Sequence, residues 1–206
     1  MKRILFIIIV SLSVQSLSAQ SSFSEIKKQH SWACVGIDFS NVKFLGHDGF
    51  NNPQKIVEQH FLSINQLLFN ERDKYNIKKA FKLKNHFFLI GDYFDIQNTQ
   101  IETENIFADR SYILDYKKIK KIIAAYNFHD IKQDIVLIFI AERLDKVKAE
   151  GVFWVTLINS KTKEIILTER IIGKPGGIGF RNYWTNAVYD IIKQIKKKKH
   201  KQWKKM

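Results

Sequence analysis

The order of apolar and polar positions predicts three strands and a helix in the C-terminal part of the chain. Ile135–Ile140 is continuously apolar, which is typical of a central strand covered on both faces. Two further apolar segments, Gly151–Ser160 and Ile165–Ile172, flank the polar turn NSKTKE, so we expect an antiparallel hairpin. Apolar residues then recur at helical spacing, which predicts a closing amphipathic helix. These residues are Phe180, Trp184, Val188, Ile191 and Ile195.

The first half of the chain alternates between strand and helix patterns. Apolar runs without helical spacing predict strands at Ser31–Ser40 and Asn85–Ile90, and the pattern allows the second strand to extend to Ile96. A helix is predicted over Pro53–Asn70, because apolar residues recur there at steps of three and four after an N-cap signal. Asp115 is the expected N-cap of a second helix.

The order of these elements indicates how the sheet is connected. Parallel strands are joined by crossover helices, whereas strands joined by tight turns pair antiparallel. We therefore predict an α/β (α+β) fold, in which a mixed five-stranded sheet packs with about three helices in a single domain. The last three strands form an antiparallel block that the closing helix follows. The polar segments 41–52, 97–110 and 142–150 are predicted to be loops or linkers.

The N-terminal segment has the order of a secretory signal peptide. Lys2 and Arg3 are followed by the apolar run Ile4–Val10 and by the small, polar stretch SLSVQSLSAQ, with cleavage expected after Ala19. The apolar run is shorter than the ~20 residues that a membrane-spanning helix needs, so we expect no transmembrane segment in the mature protein. We predict an exported protein, periplasmic or secreted and peripheral to a membrane at most. Its parts are a signal peptide at 1–19, a single α/β domain at 20–195 and a lysine-rich tail at 196–206.

Positive charge is concentrated in the tail. The formal net charge of the chain is +14, and residues 193–206 hold eight lysines and no acid. Without these eight and without Lys2 and Arg3, the rest of the chain carries only +4. We expect the tail to contact an anionic envelope surface, either lipid, lipopolysaccharide or glycan, with Trp203 as an aromatic foothold. The alternative is a solvated charge run that complements a helix C-terminus. The near-neutral body argues against nucleic acid as a partner. The lysines of the expected surface are Lys196, Lys197, Lys198, Lys199, Lys201, Lys204 and Lys205.

A glycine-rich turn precedes the closing helix. Four of the nine glycines fall within seven residues there, and glycine lets successive backbone amides point into one concavity. The positive end of the helix dipole adds to this, so the turn favours a small anion such as phosphate, carboxylate or sulfate. The alternative is a purely structural turn, since the spacing matches neither the P-loop nor the dinucleotide-binding fingerprint. The candidate ligands are Lys174, Gly176, Gly177, Gly179, Arg181 and Asn182.

Two acids are candidates for chemistry at the edge of the sheet. If the first two strands are parallel neighbours, Asp38 and Asp92 lie at the same rim, where a carboxylate pair suits a metal ion or acid–base work. Such acids more often serve as caps or turn residues. The six histidines have no metal-ligand spacing, and no GxSxG motif is present. We therefore predict no catalytic residue, no metal and no cofactor.

A resemblance to known proteins is carried by the C-terminal block. The segment KPGGIGFRNYWTNAVYDIIK, with the preceding FWVTLINSKTKEIILTERIIGK, resembles uncharacterised exported proteins of Bacteroidetes type, most specifically over Gly151–Lys193. A more distant and purely architectural likeness is to the periplasmic domains of curli-secretion-type assembly lipoproteins. The present chain departs from them by lacking a lipobox cysteine. These resemblances imply a secreted or periplasmic α/β domain and supply no catalytic residue.

Three functions remain open at this point, in order of preference. The first is a non-enzymatic binding or assembly-accessory protein whose unknown partner is an envelope protein or an anionic envelope surface. The second is a protein that binds a small anion or other small ligand at the glycine-rich turn. The third is an enzyme that uses carboxylates at the rim of the sheet.

Overall fold

Six strands form the sheet in the part of the chain that the computed structural model describes, namely residues 23–84, 86–109 and 112–205. The signal peptide predicted at 1–19 lies outside the described residues. The strands are β1 (Trp32–Asp38), β2 (Lys43–Leu45), β3 (Phe87–Leu89), β4 (Ile135–Asp145), β5 (Glu150–Asn159) and β6 (Ile165–Gly173). Their order is β3-β1-β4-β5-β6, and β2 also pairs with β4. The pairs β1–β3, β1–β4 and β2–β4 are parallel, and β4–β5 and β5–β6 are antiparallel. A single α/β domain with a mixed sheet is confirmed, with β2 as one strand more than expected.

The three predicted helices are present, and shorter helices accompany them. The helices are α1 (Phe23–Gln29), α2 (Pro53–Lys55), α3 (Phe61–Asn70), α4 (Ile77–Ala80), α5 (Asp95–Thr99), α6 (Tyr116–Ala125), α7 (Phe180–Gln194) and α8 (His200–Trp203). One π-helical turn joins α2 to α3, and a second, Ile195–Lys199, joins α7 to α8. The predicted cap of α6 is confirmed, because the Asp115 carboxylate accepts a hydrogen bond from the Lys118 backbone amide at 2.7 Å.

Two buried asparagine side chains bind the backbone at the end of β1. The pairing of β1 is irregular between Cys34 and Ile37. Asn65 on α3 accepts a hydrogen bond from the Ile37 amide at 2.8 Å and donates to the Ile37 carbonyl at 3.0 Å. Asn98 on α5 donates to the same carbonyl at 2.9 Å and accepts from the Phe39 amide at 2.8 Å. These side chains satisfy groups that a longer neighbouring strand would otherwise bind. The predicted extension of the second strand to Ile96 is therefore wrong.

The charged residues after Ala141 continue β4 and do not form the expected linker. Glu142 is fully buried. The Arg170 guanidinium holds its carboxylate with two hydrogen bonds, at 2.7 and 2.9 Å, and the Trp154 indole donates a third at 3.0 Å. Because these contacts neutralise the carboxylate, a charged residue can lie within a buried strand.

The apolar residues form one core on each face of the sheet. On one face, α3, α7 and α8 pack on alternate residues of β1, β4 and β5; on the other face, α6 and the segments that flank it cover the remaining residues. The predicted buried stripe of the closing helix is confirmed. Trp184, Val188, Ile191 and Ile195 are buried, and Phe180 is half-buried at its start.

Candidate functional site

The glycine-rich turn is held together by hydrogen bonds within the protein. The backbone amide of Lys174 donates to the Asp190 carboxylate at 3.1 Å, and that of Gly176 donates to the Tyr183 carbonyl at 3.1 Å. The side chain of Asn186 donates to the Gly176 carbonyl at 2.7 Å. These contacts favour the structural interpretation, because two of the amides are occupied, one of them by an acid.

The other predicted ligands at this turn do not converge on one point. Gly177 and Gly179 have φ of +94° and +80°, the left-handed backbone that glycine adopts most readily. The Asn182 side chain donates to the Ile178 carbonyl, and the Arg181 guanidinium is exposed. The cleft beside the turn has a volume of about 320 Å³, and Lys146 is the one charged residue among those that line it in the described structure. An anion site here stays a prediction.

The two rim acids have different surroundings. Asp38 is fully buried at the end of β1, where its carboxylate accepts hydrogen bonds from the Ser40 amide at 2.8 Å and the Tyr126 hydroxyl at 2.5 Å. Burial raises the pKa of this carboxyl and raises the pKa of Tyr126 well above its ordinary value. Asp92 lies in an exposed turn after β3, where its carbonyl accepts a hydrogen bond from the Asp95 amide. β1 and β3 are parallel neighbours as expected. However, the contacts show that Asp38 is a buried side chain that caps the backbone after β1, and that Asp92 is a turn residue.

The lysine-rich tail packs against the domain over its described length. Trp203 is only 1% exposed and lies in the main core, where its indole donates to the Glu169 carboxylate at 2.6 Å. The ammonium group of Lys199 binds the other oxygen of the same carboxylate. The structure thus places Trp203 inside the fold, because an aromatic cluster encloses it, and not on a surface as the foothold interpretation requires. The remaining tail lysines are exposed: Lys196, Lys197, Lys198, Lys201, Lys204 and Lys205.

Three separate segments meet beside Trp203 and enclose a cleft of about 650 Å³, which we call the basic cleft. It is lined by Ser24, Lys27 and Lys28 of α1, by Lys82 and Lys84 after α4, and by His200, Lys201 and Lys204 at α8. Six of these eight residues are lysines, and none of the described residues that line the cleft is acidic. Within the described part of the chain, Lys82, Lys84, Lys201 and Lys204 form no ion pair.

An aromatic cluster holds these three segments in place. The Trp203 ring stacks on Phe81 with centroids 5.6 Å apart and meets the edge of Phe23 at 5.8 Å. Trp32 contacts both Phe23 and Phe81. Because Trp32 is the first residue of β1, the basic cleft lies at the end of the sheet opposite Asp38. The lysines of the basic cleft therefore lie on segments that pack into the core, and not on a free tail.

The deepest part of the basic cleft is the pair formed by Lys27 and His200. The Lys27 ammonium lies 2.7 Å from His200 Nε2, and the His200 side chain is 2% exposed. Burial, together with the charges of Lys27, Lys82 and Lys204, lowers the pKa of His200 to about 4. The imidazole is therefore neutral at pH 7, and its Nε2 accepts a hydrogen bond from the Lys27 ammonium, so that Nδ1 carries the ring hydrogen. Nδ1 is buried and has no partner among the described residues.

Mutual repulsion also acts on Lys27. Burial lowers its pKa first, and the charges of Lys204, Lys82, Lys28 and Lys84 lower it further. The charges that perturb Lys27 are thus all positive and all belong to residues that line the basic cleft. An arrangement of this kind stores electrostatic repulsion that a bound anion would relieve.

Acidification should weaken the fold through His200. Its folded-state pKa of about 4 lies below the ordinary 6.5, so between these values the unfolded chain binds a proton that the folded chain excludes. The stability that depends on neutral His200 is present above pH 6.5 and is lost as the pH falls toward 4, by about 2 kcal/mol at roughly pH 4.5. Urea unfolding at both ends of this range measures it. His200→Gln should remove this part of the pH dependence, and His47→Gln, at an exposed position, should retain it. An unchanged pH dependence in His200→Gln would show the prediction to be wrong.

Sequence reasoning found only part of the basic cleft. Lys201 and Lys204 belong to the predicted tail surface, whereas Lys27, Lys82 and His200 were not among the candidates. The KK pair at 27–28 was a signal for positive charge, but nothing in the sequence pairs it with residues 82–84 or 200–204.

Other kinds of site and the comparisons with known proteins add little. No group of three or more His, Cys, Asp or Glu side chains able to hold a metal ion occurs among the described residues. None of the helices in that part of the chain combines the length and apolar character that crossing a bilayer requires.

No family model and no curated protein matches the chain. Among solved structures, it is similar to the C-terminal domain of LpoB from Salmonella enterica, at 13% identity and a TM-score of 0.31, over 75% of this chain and 94% of that one. A likeness of this degree carries no functional conclusion. The resemblances to Bacteroidetes-type exported proteins and to curli-secretion-type lipoproteins find no support in these comparisons.

Proposed function

We propose that this domain is a non-enzymatic binding protein of the cell envelope that holds an anionic ligand in the basic cleft. The observation that carries the proposal is the convergence of six lysines and a buried histidine on one concave site without an acid among its described lining residues. A solvated charge run would spread its lysines apart. Here, folding brings lysines from three segments together against their mutual repulsion.

The dimensions of the basic cleft suit a discrete ligand. Small-molecule sites in proteins typically enclose about 300–1,000 Å³. The cleft falls in this range, and its walls supply point charges with mobile stems, which adapt to an anion's outline. The proposal thus moves the anion-binding role from the glycine-rich turn, where internal acceptors occupy two amides, to the basic cleft. The envelope location rests on the predicted signal peptide.

Binding should be lost when charge is reversed in the basic cleft but not elsewhere. The double variant Lys27→Glu/Lys204→Glu should weaken binding of a small polyanion by about a hundredfold, since it removes two attractive contacts and adds two repulsive ones. Isothermal titration of the full chain with pyrophosphate and with citrate at low salt measures the effect.

A matched control separates the site from net charge. Lys117→Glu/Lys132→Glu makes the same change in charge at two exposed positions that do not line the basic cleft. It should alter the affinity by no more than about threefold. Equal losses in both double variants, or no binding of either anion by the unmodified protein, would contradict the proposal.

A further inference from the structure

Three lysines of the basic cleft line it together with His200. These are Lys27, Lys82 and Lys204, and the Lys27 ammonium contacts the imidazole at 2.7 Å. They come from three different elements: α1, the residues after α4, and the end of α8. The buried Nδ1 of His200 remains without a partner among the described residues. Cationic groups from separate elements thus line one cleft, and their charges lower the pKa of His200.

The residue types in this arrangement favour a compact anion of high charge. Lysine binds as a point charge, and no described residue that lines the basic cleft is an arginine, whose planar fork binds two oxygens of a carboxylate or of a phosphate at once. A phosphate group is tetrahedral, carries close to two negative charges near neutral pH and presents three strong acceptor oxygens. Ammonium groups from separate elements can each bind a different oxygen, and lysine is a common phosphate ligand in proteins.

The backbone at Lys82 makes this wall of the basic cleft open to a direct test. Lys82 has φ of +52°, and the Leu83 amide donates to the Lys78 carbonyl at 3.0 Å, which closes the end of α4 in the left-handed cap that usually contains glycine. A lysine at such a position is less favourable than glycine, because its Cβ crowds the backbone. A glycine at this position therefore removes the ammonium group without straining the fold.

We infer that the ligand of the basic cleft presents a phosphate group, which Lys27, Lys82 and Lys204 bind around His200. The inference rests on the proposed function and adds the chemical class of the ligand. One phosphate does not fill 650 Å³, and Lys28, Lys84 and Lys201 line the rest of the cleft. The ligand is therefore a diphosphate or a phosphorylated headgroup with a further anionic group. Its source is either a free phosphorylated molecule or a membrane lipid.

The first test compares pyrophosphate with citrate, a tricarboxylate of similar net charge, by isothermal titration of the full chain at neutral pH. Pyrophosphate should bind about tenfold more tightly or better. Citrate binding that is as tight as pyrophosphate binding, and is lost in Lys27→Glu/Lys204→Glu, would keep the proposed function and overturn the phosphate inference. No binding of either anion would contradict the proposed function itself.

The second test uses a substitution that should leave the protein folded. Lys82→Gly relieves the left-handed strain, so it should raise the melting temperature, yet it should weaken pyrophosphate binding by about tenfold because one ammonium group is lost. Lys163→Gly is the matched control. Lys163 also has positive φ, +57°, and lies in the β5–β6 turn outside the basic cleft. Lys163→Gly relieves the same strain but removes the hydrogen bond from the Lys163 ammonium to the Ala124 carbonyl at 2.9 Å, so it should change the stability little and keep full affinity. Unchanged affinity in Lys82→Gly would overturn the inference.

Vesicles distinguish the two sources of phosphate. Phosphatidylcholine vesicles with phosphatidylinositol 4-phosphate, whose headgroup carries a phosphomonoester and a second phosphate, are sedimented with the protein in the presence and absence of pyrophosphate. Vesicle binding that pyrophosphate displaces supports a lipid headgroup as the ligand. Pyrophosphate binding without vesicle binding supports a free phosphorylated molecule. Vesicle binding that pyrophosphate leaves unchanged, together with no titratable pyrophosphate binding, would overturn the inference and assign the membrane contact to exposed lysines outside the cleft.

Discussion

Trp203→Ala should destabilise the fold by about 3–5 kcal/mol, although it lies in a segment whose composition predicts a solvated tail. The side chain is almost fully buried between Phe23 and Phe81, and its indole hydrogen bond to Glu169 is lost as well. The substitution leaves a cavity between Phe23 and Phe81, which lie in separate segments of the chain. Urea unfolding followed by circular dichroism measures the change.

A conservative variant separates packing from hydrogen bonding at this position. Trp203→Phe keeps an aromatic ring between Phe23 and Phe81 but removes the donor, so it should cost about half as much as Trp203→Ala. Lys205→Ala, two residues further on and exposed, should change the stability by less than about 0.5 kcal/mol. If Trp203→Ala unfolds at the same urea concentration as the unmodified protein, α8 does not belong to the cooperative fold.

Glu142→Ala should destabilise the protein by about 3 kcal/mol, because it removes the buried acid that three side chains bind, although its partner Arg170 is only half-buried. Arg170 would lose both of its charge-assisted hydrogen bonds, and the Trp154 indole would lose its acceptor. Arg143, which lies 3.3 Å from the same carboxylate and is itself largely buried, would lose its nearest acid. Thermal and urea unfolding both report the loss.

A double variant tests whether the unpaired charge causes this loss. Glu142→Leu/Arg170→Leu removes this carboxylate with its main partner and leaves Arg143 paired with Glu150 at 3.8 Å, so it should be more stable than Glu142→Ala by about 1 kcal/mol or more. A double variant as unstable as Glu142→Ala would show that the β4 geometry itself depends on Glu142. A single variant that costs less than about 1 kcal/mol would show that water reaches the site.

The sequence predicts those helices and strands whose apolar pattern depends only on residues close together in the chain. The helix over Pro53–Asn70, the helix capped by Asp115 and the closing helix all have apolar residues at helical spacing. The β5–β6 hairpin has a polar turn between two apolar runs. What the patterns missed depends on partners that are distant in the chain. Glu142 looks like a linker residue until Arg170 and Trp154 are placed beside it, and a polar segment becomes α5 because Asn98 is required at the backbone of β1.

The basic cleft could likewise be predicted only in part from the sequence. A run of lysines is visible in any sequence, so Lys201 and Lys204 could be predicted to attract anions. Their role as one wall of a cleft depends on Phe23 and Phe81, which bring α1 and the residues after α4 against Trp203. The short α1 has too few residues for an amphipathic pattern to be recognised.

The pairing at the centre of the sheet has a consequence for the speed of folding. β1 lies beside β4, and the Ser31 amide binds the Asp134 carboxylate across 103 positions of the chain. Pairing over such distances is slow, because a long loop must close before any contact rewards it, whereas the β4–β5–β6 block is local and can form early. β1 therefore has only β3 beside it until residues beyond 134 have emerged, and the sheet is completed late in folding.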